Sequence, residues 1–198
     1  MFKRISETLG LDALTKFDPI AFSRLIDEKI PHGFPGREIA RLRLLDVMLN
    51  LGIPFNRWLG LRITAFSPQS VVVTSPPSVL RRNHVGTAHA CAQALIGEYA
   101  SGLVVAQRFR ATEFRVIIGH LEVDYKKAGY GELKGEAFEP AVWPEVVDDA
   151  AWVEMQTEIR NTKGETVSLC RTRWQVKRWK RIKSDRAREE SMKLSKEQ

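Results

Sequence analysis

The stretch from Ala88 to Ala106 limits what this chain can fold into more than any other segment, because it is apolar on every side. Glu98 is its only charged residue between His89 and Gln107. A helix without a charged face belongs in a protein interior. Its side chains are mostly small, which lets other elements approach closely despite the propensity cost of two glycines. The small residues are Ala88, Ala90, Cys91, Ala92, Ala94, Gly97, Ala100, Ser101, Gly102 and Ala106. We predict a buried central helix, and the pattern alone leaves open whether the helix has a chemical role.

Alternating apolar and polar residues on both sides of this helix predict antiparallel strands. The candidate strands span 59–65, 71–73, 114–125, 132–138, 152–160 and 166–177. Strands grouped around one helix indicate an α+β domain rather than a series of βαβ units. The predicted architecture is therefore an antiparallel sheet of five to six strands wrapped round the central helix, in residues 58–177.

Residues 1–57 are predicted to form a helical extension. Asp18-Pro19 is typical of a helix start, and it begins an apolar stripe that reaches Ile30. A second helix is predicted from about Arg37 to Leu51, ended by Gly52 and Pro54. Its inward positions are predicted to be Ile39, Leu42, Leu45, Met48 and Leu49. We expect the extension to cover the open face of the sheet.

The net charge of +7 is concentrated in the C-terminal tail, residues 178–198. From Lys177 to Gln198 nine Lys or Arg stand against four Asp or Glu, which gives +5 and leaves +2 for the rest. The basic run around Trp179 would suit anionic lipid or nucleic acid. A solvated extension is the favoured interpretation, and no nucleic-acid-reading motif accompanies the run.

Composition also bounds the cellular setting. No apolar run approaches the roughly 18 residues that a membrane span needs, and no apolar stretch follows the basic residues near the start. Cys91 and Cys170 have neither a disulfide framework nor metal-ligand spacing. We expect a reduced, cytoplasmic protein that works without a metal.

The residues just before the helix form a motif. They read Asn83-His84-Val85-Gly86-Thr87-Ala88-His89, and Glu98 follows His89 by nine positions. This motif resembles the Asn-x-x-Gly-Thr-x-His-Gly-Gly signature of hotdog-fold acyl-CoA thioesterases of the phenylacetate type, whose carboxylate also stands nine residues after the His. Trp174-Gln175-Val176-Lys177 resembles the last strand of an uncharacterised bacterial branch of that superfamily. The resemblance covers roughly residues 58–177 and implies the hotdog fold.

The chain departs from that signature at two places: Gly-Gly is replaced by Ala90-Cys91, and the usual Asp is Glu98. The resemblance implies that the amide after the His holds the thioester oxygen, and Ala90 still offers that N–H beside a Cβ that narrows the approach.

The start of a buried helix provides free N–H groups and a positive dipole end, which suits a developing oxyanion. We assign this role to the amides near His89, Ala90 and Cys91, with Gly86 and Thr87 shaping and capping the turn. Glu98 would be the general base or the nucleophile, or else a structural carboxylate paired with an Arg or an N–H. Asn83 either orients the loop or attacking water or satisfies the turn backbone, and His89 either orients the thioester carbonyl or only caps the helix.

Helix geometry bears on how these residues meet. Nine helical residues span about 13 Å, and nine steps of roughly 100° leave His89 and Glu98 on opposite faces. The two are therefore expected to share a site only across a dimer, with antiparallel helices about a two-fold axis. Dimers that pair into tetramers are an open alternative.

The predicted activity is hydrolysis of an acyl-CoA or acyl-carrier thioester, with coenzyme A present only as part of the substrate. The alternatives are a non-catalytic hotdog module that binds acyl-CoA or a fatty acyl chain, and, more weakly, acyl transfer or dehydration. Candidate contacts for coenzyme A phosphates, which are otherwise ordinary solvated charges, are Arg81, Arg82, Lys126 and Lys127. Candidates for lining an acyl tunnel are Leu61, Ile63, Phe66, Leu95, Tyr99 and Phe114.

Overall fold

The computed structural model describes residues 23, 28–29, 36–146, 150–180 and 182. Most of the predicted first helix and of the basic tail therefore lies outside the described residues. The described chain begins with helices α1 (Arg37–Gly52) and α2 (Pro54–Arg57). Leu45 and Leu49 of α1 are buried in the same core as the sheet, whereas Ile39 is 67% exposed. The inward prediction for Ile39 is wrong because the buried positions of α1 lie only in its second half.

Six strands form one antiparallel sheet in the order β1-β2-β4-β5-β6-β3. The strands are β1 (Arg62–Phe66), β2 (Ser70–Ser75), β3 (Phe114–Tyr125), β4 (Leu133–Phe138), β5 (Ala150–Asn161) and β6 (Thr166–Arg178). All six strand predictions are confirmed, with ends that differ by a few residues. The sheet and its helix have the hotdog fold, as predicted.

Helix α3 (Ala90–Arg108) lies inside the curve of this sheet and contacts β2, β3, β4, β5 and β6. Its small residues are required by close packing, as the sequence indicated. A Cβ added at Gly97 would lie 2.4 Å from the Cβ of Cys170, and one added at Gly102 would lie 2.8 Å from the Trp174 ring. The helix can therefore pack this closely against the sheet only because Gly97 and Gly102 have no side chains.

A buried hydrogen-bond network holds the middle of α3 against β6. The Thr172 hydroxyl donates to Ser101 Oγ at 3.0 Å, and Trp174 Nε1 donates to Thr172 Oγ1 at 2.9 Å. Ser101 in turn donates to the carbonyl oxygen of Glu98 at 3.0 Å. These contacts fix the helical turn that carries Glu98.

Strand β3 lies at the edge of the sheet. Among the strands that the structure describes, it pairs only with β6, so one side of its backbone is free. Ile117 and Leu121 on this strand are 47% and 42% exposed. A long edge strand with exposed apolar side chains is a ready surface for strand pairing.

Candidate functional site

Asn83 closes the loop that leads into α3. Its side-chain oxygen accepts from the N–H groups of Val85 at 3.1 Å and Thr87 at 3.0 Å, and its amide nitrogen donates to the Thr87 hydroxyl at 2.9 Å. Gly86 takes φ +85°, a left-handed conformation that favours glycine at this turn. Local contacts thus occupy both the oxygen and the nitrogen of the Asn83 amide. This agrees with the alternative in which Asn83 satisfies the backbone of the turn. Its role in orienting water stays a prediction.

His89 is the N-cap of α3. With φ −58° and ψ 144° it stands just outside the helix, and its Nδ1 accepts from the N–H of Cys91 at 3.1 Å. The N–H of His89 itself donates to the carbonyl oxygen of Arg81 at 2.7 Å. Because Nδ1 is an acceptor here, the neutral imidazole carries its proton on Nε2.

Only one of the three amides assigned to the oxyanion is available. The N–H groups of His89 and Cys91 already have acceptors, so the assignment of the oxyanion role to these two amides is wrong. Within the described residues, the N–H of Ala90 donates to no protein acceptor, and Ala90 is exposed. The hydroxyl of Tyr125 donates to the carbonyl oxygen of Ala90 at 3.0 Å, which helps hold the next peptide, between Ala90 and Cys91, in place.

Glu98 is half-buried near the middle of α3. Burial raises the pKa of its carboxyl above the ordinary value for a glutamate. In the part of the chain that the structure describes, neither oxygen has a hydrogen-bond or ion-pair partner. The alternative was that Glu98 is a structural carboxylate held by an Arg or an N–H. No described residue makes such a contact with it. An unpaired carboxyl with a raised pKa is typical of functional sites.

Two grooves meet at Glu98. Groove A has a volume of about 660 Å³ and is bordered by Phe55, Leu59, Leu80, Arg81, His89, Cys91, Ala92, Ala94, Leu95, Glu98, Ile118, Gly119, His120 and Leu121. Groove B has a volume of about 430 Å³ and is bordered by Leu49, Gly52, Ile53, Glu98, Tyr99, Gly102, Leu103, Ala106, Phe109, Ala111, Phe114, Arg115, Val116, Trp174 and Trp179. Groove A thus reaches from the start of α3 to Glu98, and groove B continues from Glu98 along the second half of α3.

His89 and Glu98 of one chain border the same groove. The expectation that they lie on opposite faces of one helix is wrong, because His89 precedes the first helical residue and does not follow the helical rotation. Ala90 directly follows His89, and α3 rises about 12 Å over the eight residues from Ala90 to Glu98. One small reacting group therefore cannot touch both residues of a single chain.

The predicted phosphate contacts differ in their surroundings. Arg81 is 3% exposed, and its guanidinium donates to the carbonyl and hydroxyl oxygens of Ser75 and to the carbonyl of Gly131. Its assignment as a solvent-facing phosphate contact is wrong, because those backbone contacts bury the charge. Lys127 is exposed and pairs with Glu165 at 2.7 Å. Arg82 and Lys126 are exposed and stay candidates.

The predicted tunnel residues divide into three groups. Leu95 borders groove A, and Tyr99 and Phe114 border groove B. Leu61, Ile63 and Phe66 are instead buried in the core and border neither groove. The groove residues that sequence reasoning missed include Phe55, Leu80, Phe109, Trp179 and the β3 segment 118–121. The pattern of β3 predicts a strand of the sheet around α3, but it does not indicate which residues of the strand border a groove.

No helix in the described ranges is long and apolar enough to cross a membrane. The same ranges contain no group of three His, Cys, Asp or Glu side chains arranged to hold a metal ion.

Several solved structures with this architecture are described as thioesterases or probable thioesterases. A protein of unknown function from Pseudomonas aeruginosa, PA5026, described as a probable thioesterase, is 19% identical, with a TM-score of 0.55 over 65% of this chain and 90% of that one. A mutant form of thioesterase PA1618 from the same species is 13% identical, with a TM-score of 0.59 over 69% of this chain and 94% of that one. A mutant form of thioesterase SAV0944 from Staphylococcus aureus is 17% identical, with a TM-score of 0.55 over 63% of this chain and 98% of that one. At these identities the likeness establishes the hotdog fold.

The family is shown by the sequence. Residues 41–176 match the domain of unknown function DUF4442, and the chain belongs to this family. The match begins inside α1, which agrees with the burial of Leu45 and Leu49 in the common core. No curated protein matches the chain.

Proposed function

We propose that this protein hydrolyses an acyl-CoA or acyl-carrier thioester at a site shared by two copies of the chain, without a metal. The observation that carries the proposal is Glu98, a half-buried carboxyl with a raised pKa and no partner among the described residues. It stands in groove A, whose other end is bordered by His89 and Cys91, the two neighbours of the Ala90 N–H in the chain. A base and an oxyanion donor are the two groups that thioester hydrolysis requires.

The chemistry assigns one task to each group. The thioester carbonyl oxygen accepts from the Ala90 N–H, which stabilises the negative charge as a tetrahedral intermediate forms. Glu98 takes a proton from water while the water oxygen bonds to the carbonyl carbon. The intermediate then collapses, the carbon–sulfur bond breaks, and the proton passes from Glu98 to the leaving thiolate. The products are a carboxylic acid and a free thiol.

Two chains are needed because α3 rises about 12 Å over the eight residues from Ala90 to Glu98 within one chain. The free edge of β3 offers a way to join them. Two β3 strands that pair antiparallel about a two-fold axis would extend the sheet and bury Ile117 and Leu121. The two α3 helices would then run antiparallel, so that Ala90 of each copy faces Glu98 of the other.

The two grooves suit different halves of the substrate. Groove B starts at Glu98 and is lined by aromatic and aliphatic side chains, so it fits the acyl chain. Groove A passes His89 and opens toward the loop 82–87, so it fits the pantetheine arm. The exposed Arg82 and Lys126 are the charges that we propose for the phosphates of coenzyme A.

Release of free thiol from a panel of acyl-CoA thioesters tests the proposal. The wild-type protein should release thiol, and Glu98→Gln should lower kcat by at least about 10² because the base is lost. Glu154→Gln is the matched control, since Glu154 is an exposed carboxyl on the outer face of the sheet, 82% accessible. Absence of thiol release from every thioester tested would rule out the hydrolase.

One observation favours a second candidate, a module that binds acyl-CoA without turning it over. The Cys91 side chain borders groove A, and Cys91 follows directly after the free N–H of Ala90. The thioesterases whose signature this motif resembles have glycine at this position. Tight binding of acyl-CoA with no thiol release would support this candidate.

A further inference from the structure

Groove B is bordered by an indole that belongs to the segment after the last strand. Trp179 directly follows β6, at the start of the tail that was expected to be solvated. Its backbone N–H donates to the carbonyl of Glu113 at 3.0 Å, and its Nε1 donates to the carbonyl of Ala111 at 2.8 Å. These two contacts with the connection between α3 and β3 hold a side chain that is 37% exposed in one orientation. The beginning of the tail is therefore packed.

The walls around Trp179 are aromatic. The rings of Phe109 and Phe114 meet edge to face with centroids 5.4 Å apart, and Trp174 also borders the groove. The Arg178 guanidinium covers the other side of Phe114, 4.8 Å from its centroid. Aromatic walls of this kind suit the terminal methyl group of an acyl chain.

We propose that Trp179 closes the acyl-binding part of groove B and so sets the longest acyl chain that the protein accepts. This inference rests on the proposed function. Between Glu98 and Ala106, the last α3 residue that borders the groove, the helix rises about 12 Å. An extended chain advances about 1.2 Å per bond, so this length holds about ten carbon atoms. The substrate class is therefore a medium-chain acyl thioester.

The test measures kcat/KM for saturated acyl-CoAs of increasing length. Each methylene buried in groove B should raise kcat/KM about fourfold, up to about ten carbons, and longer chains should lose this gain. Trp179→Ala removes the end wall, so its optimum should move to longer chains. Ala106→Leu fills the groove from the side of α3, so its optimum should move to shorter chains.

Trp152→Ala is the matched control. Trp152 is 39% exposed, nearly the same as Trp179, but it stacks under Arg173 on the sheet and borders neither groove. Its loss should leave the optimum chain length unchanged. Thermal unfolding of each variant shows whether it is folded. The two groove variants, Trp179→Ala and Ala106→Leu, change different elements of the fold.

A second measurement separates this inference from the proposed function. Calorimetric binding of free fatty acids of the same lengths reports on groove B without any turnover. A length optimum that moves with Trp179→Ala, in a protein that never releases thiol, would support the end wall and overturn the hydrolase. Thiol release with the same optimum in the wild type and in folded Trp179→Ala would overturn the end wall and keep the hydrolase.

Discussion

His89 decides which amide at the start of α3 is available. Its imidazole accepts from the Cys91 N–H, and its carbonyl oxygen accepts from the N–H groups of Ala92 and Gln93 at 3.0 and 3.2 Å. The Cys91 and Ala92 donors belong to the group that a helix start leaves without i→i−4 partners, whereas the Gln93 bond is the first ordinary bond of the helix. With the His89 N–H bonded to Arg81, the Ala90 N–H is the one donor left open at this helix start among the described residues, so the oxyanion role that we propose falls to it. This explains how a chain with Ala90-Cys91 in place of Gly-Gly can keep a defined donor.

Replacing Ala90 by Pro removes that atom and leaves the helix intact. Ala90 is the first helical residue, where proline is favourable, and the extended ψ of 144° at His89 is what a residue before proline prefers. We expect Ala90→Pro to lower kcat by about 10²–10³ while Tm stays close to the wild type. Ala90→Gly keeps the N–H and should retain most of the activity. Full activity of the folded Pro variant would contradict the assignment.

The pH profile reports the state of Glu98. Because burial raises the pKa of this carboxyl, and the base acts only when ionised, kcat/KM should fall with decreasing pH at a pKa above the ordinary glutamate range. The measurement is kcat/KM for one acyl-CoA across the acidic range. His120 also borders groove A, so His120→Gln is the control and should leave the acidic limb where it is. A limb that moves with His120→Gln would assign it to the histidine.

At the scale of elements, one buried carboxylate fastens α1 to the sheet. Asp46 is 8% exposed, and its Oδ1 accepts from the N–H of Ile63 at 2.7 Å. Burial raises the pKa of Asp46 to about 6, against the opposing effects of this hydrogen bond and of Arg43 and Arg62. The C-terminal part of α1 and the residues after it border both grooves, so the Asp46 contact also positions the walls of the site.

The stability of this junction should depend on pH. The folded protein keeps a proton on Asp46 up to about pH 6, whereas the unfolded chain releases it near 3.8, so folding becomes less favourable as pH rises between these values. Asp46→Asn keeps an oxygen that can accept from Ile63 and removes the charge. We expect it to raise the free energy of unfolding by about 3 kcal/mol at pH 8 and to change it little at pH 4. Urea denaturation of both proteins at the two pH values measures the difference, and an equal difference at both would refute the assignment.

At the scale of the whole molecule, the position of β3 determines how the site can be completed. The chain runs from β2 through α3 before it forms β3. Strand β3 lies beside β6 at the sheet edge, away from β1 and β2. The same strand borders groove A with residues 118–121. Pairing at this edge would therefore build the dimer and close the groove in one step.

Mixing two inactive variants tests the shared site. Glu98→Gln chains still provide the Ala90 N–H, and Ala90→Pro chains still provide Glu98. If subunits exchange freely, half of the dimers are mixed and each has one complete site, so about a quarter of the wild-type rate should return. Each variant alone, treated in the same way, should stay inactive. No recovery in samples where mixed dimers are demonstrated would place the site within one chain.

The sequence by itself determined the elements and the single acidic residue on which the proposal rests. Strand periodicity and the absence of a charged face on 88–106 are local properties of neighbouring residues, and local patterns suffice to predict six strands and a buried helix. The isolation of Glu98 among apolar residues was equally visible. The exposure of Ile39 was not visible, because an apolar stripe along a helix does not show where the element that packs against it ends.

Only the tertiary structure decided how these parts are used. Arg81 is buried because its guanidinium reaches Gly131, fifty positions further along the chain, and no local pattern encodes that contact. The single open amide at Ala90 depends on the side-chain orientation of His89. The grooves exist only where α1, α3, β3 and the segment after β6 converge. Each of these features is a relation between residues distant in sequence, and it is set by packing.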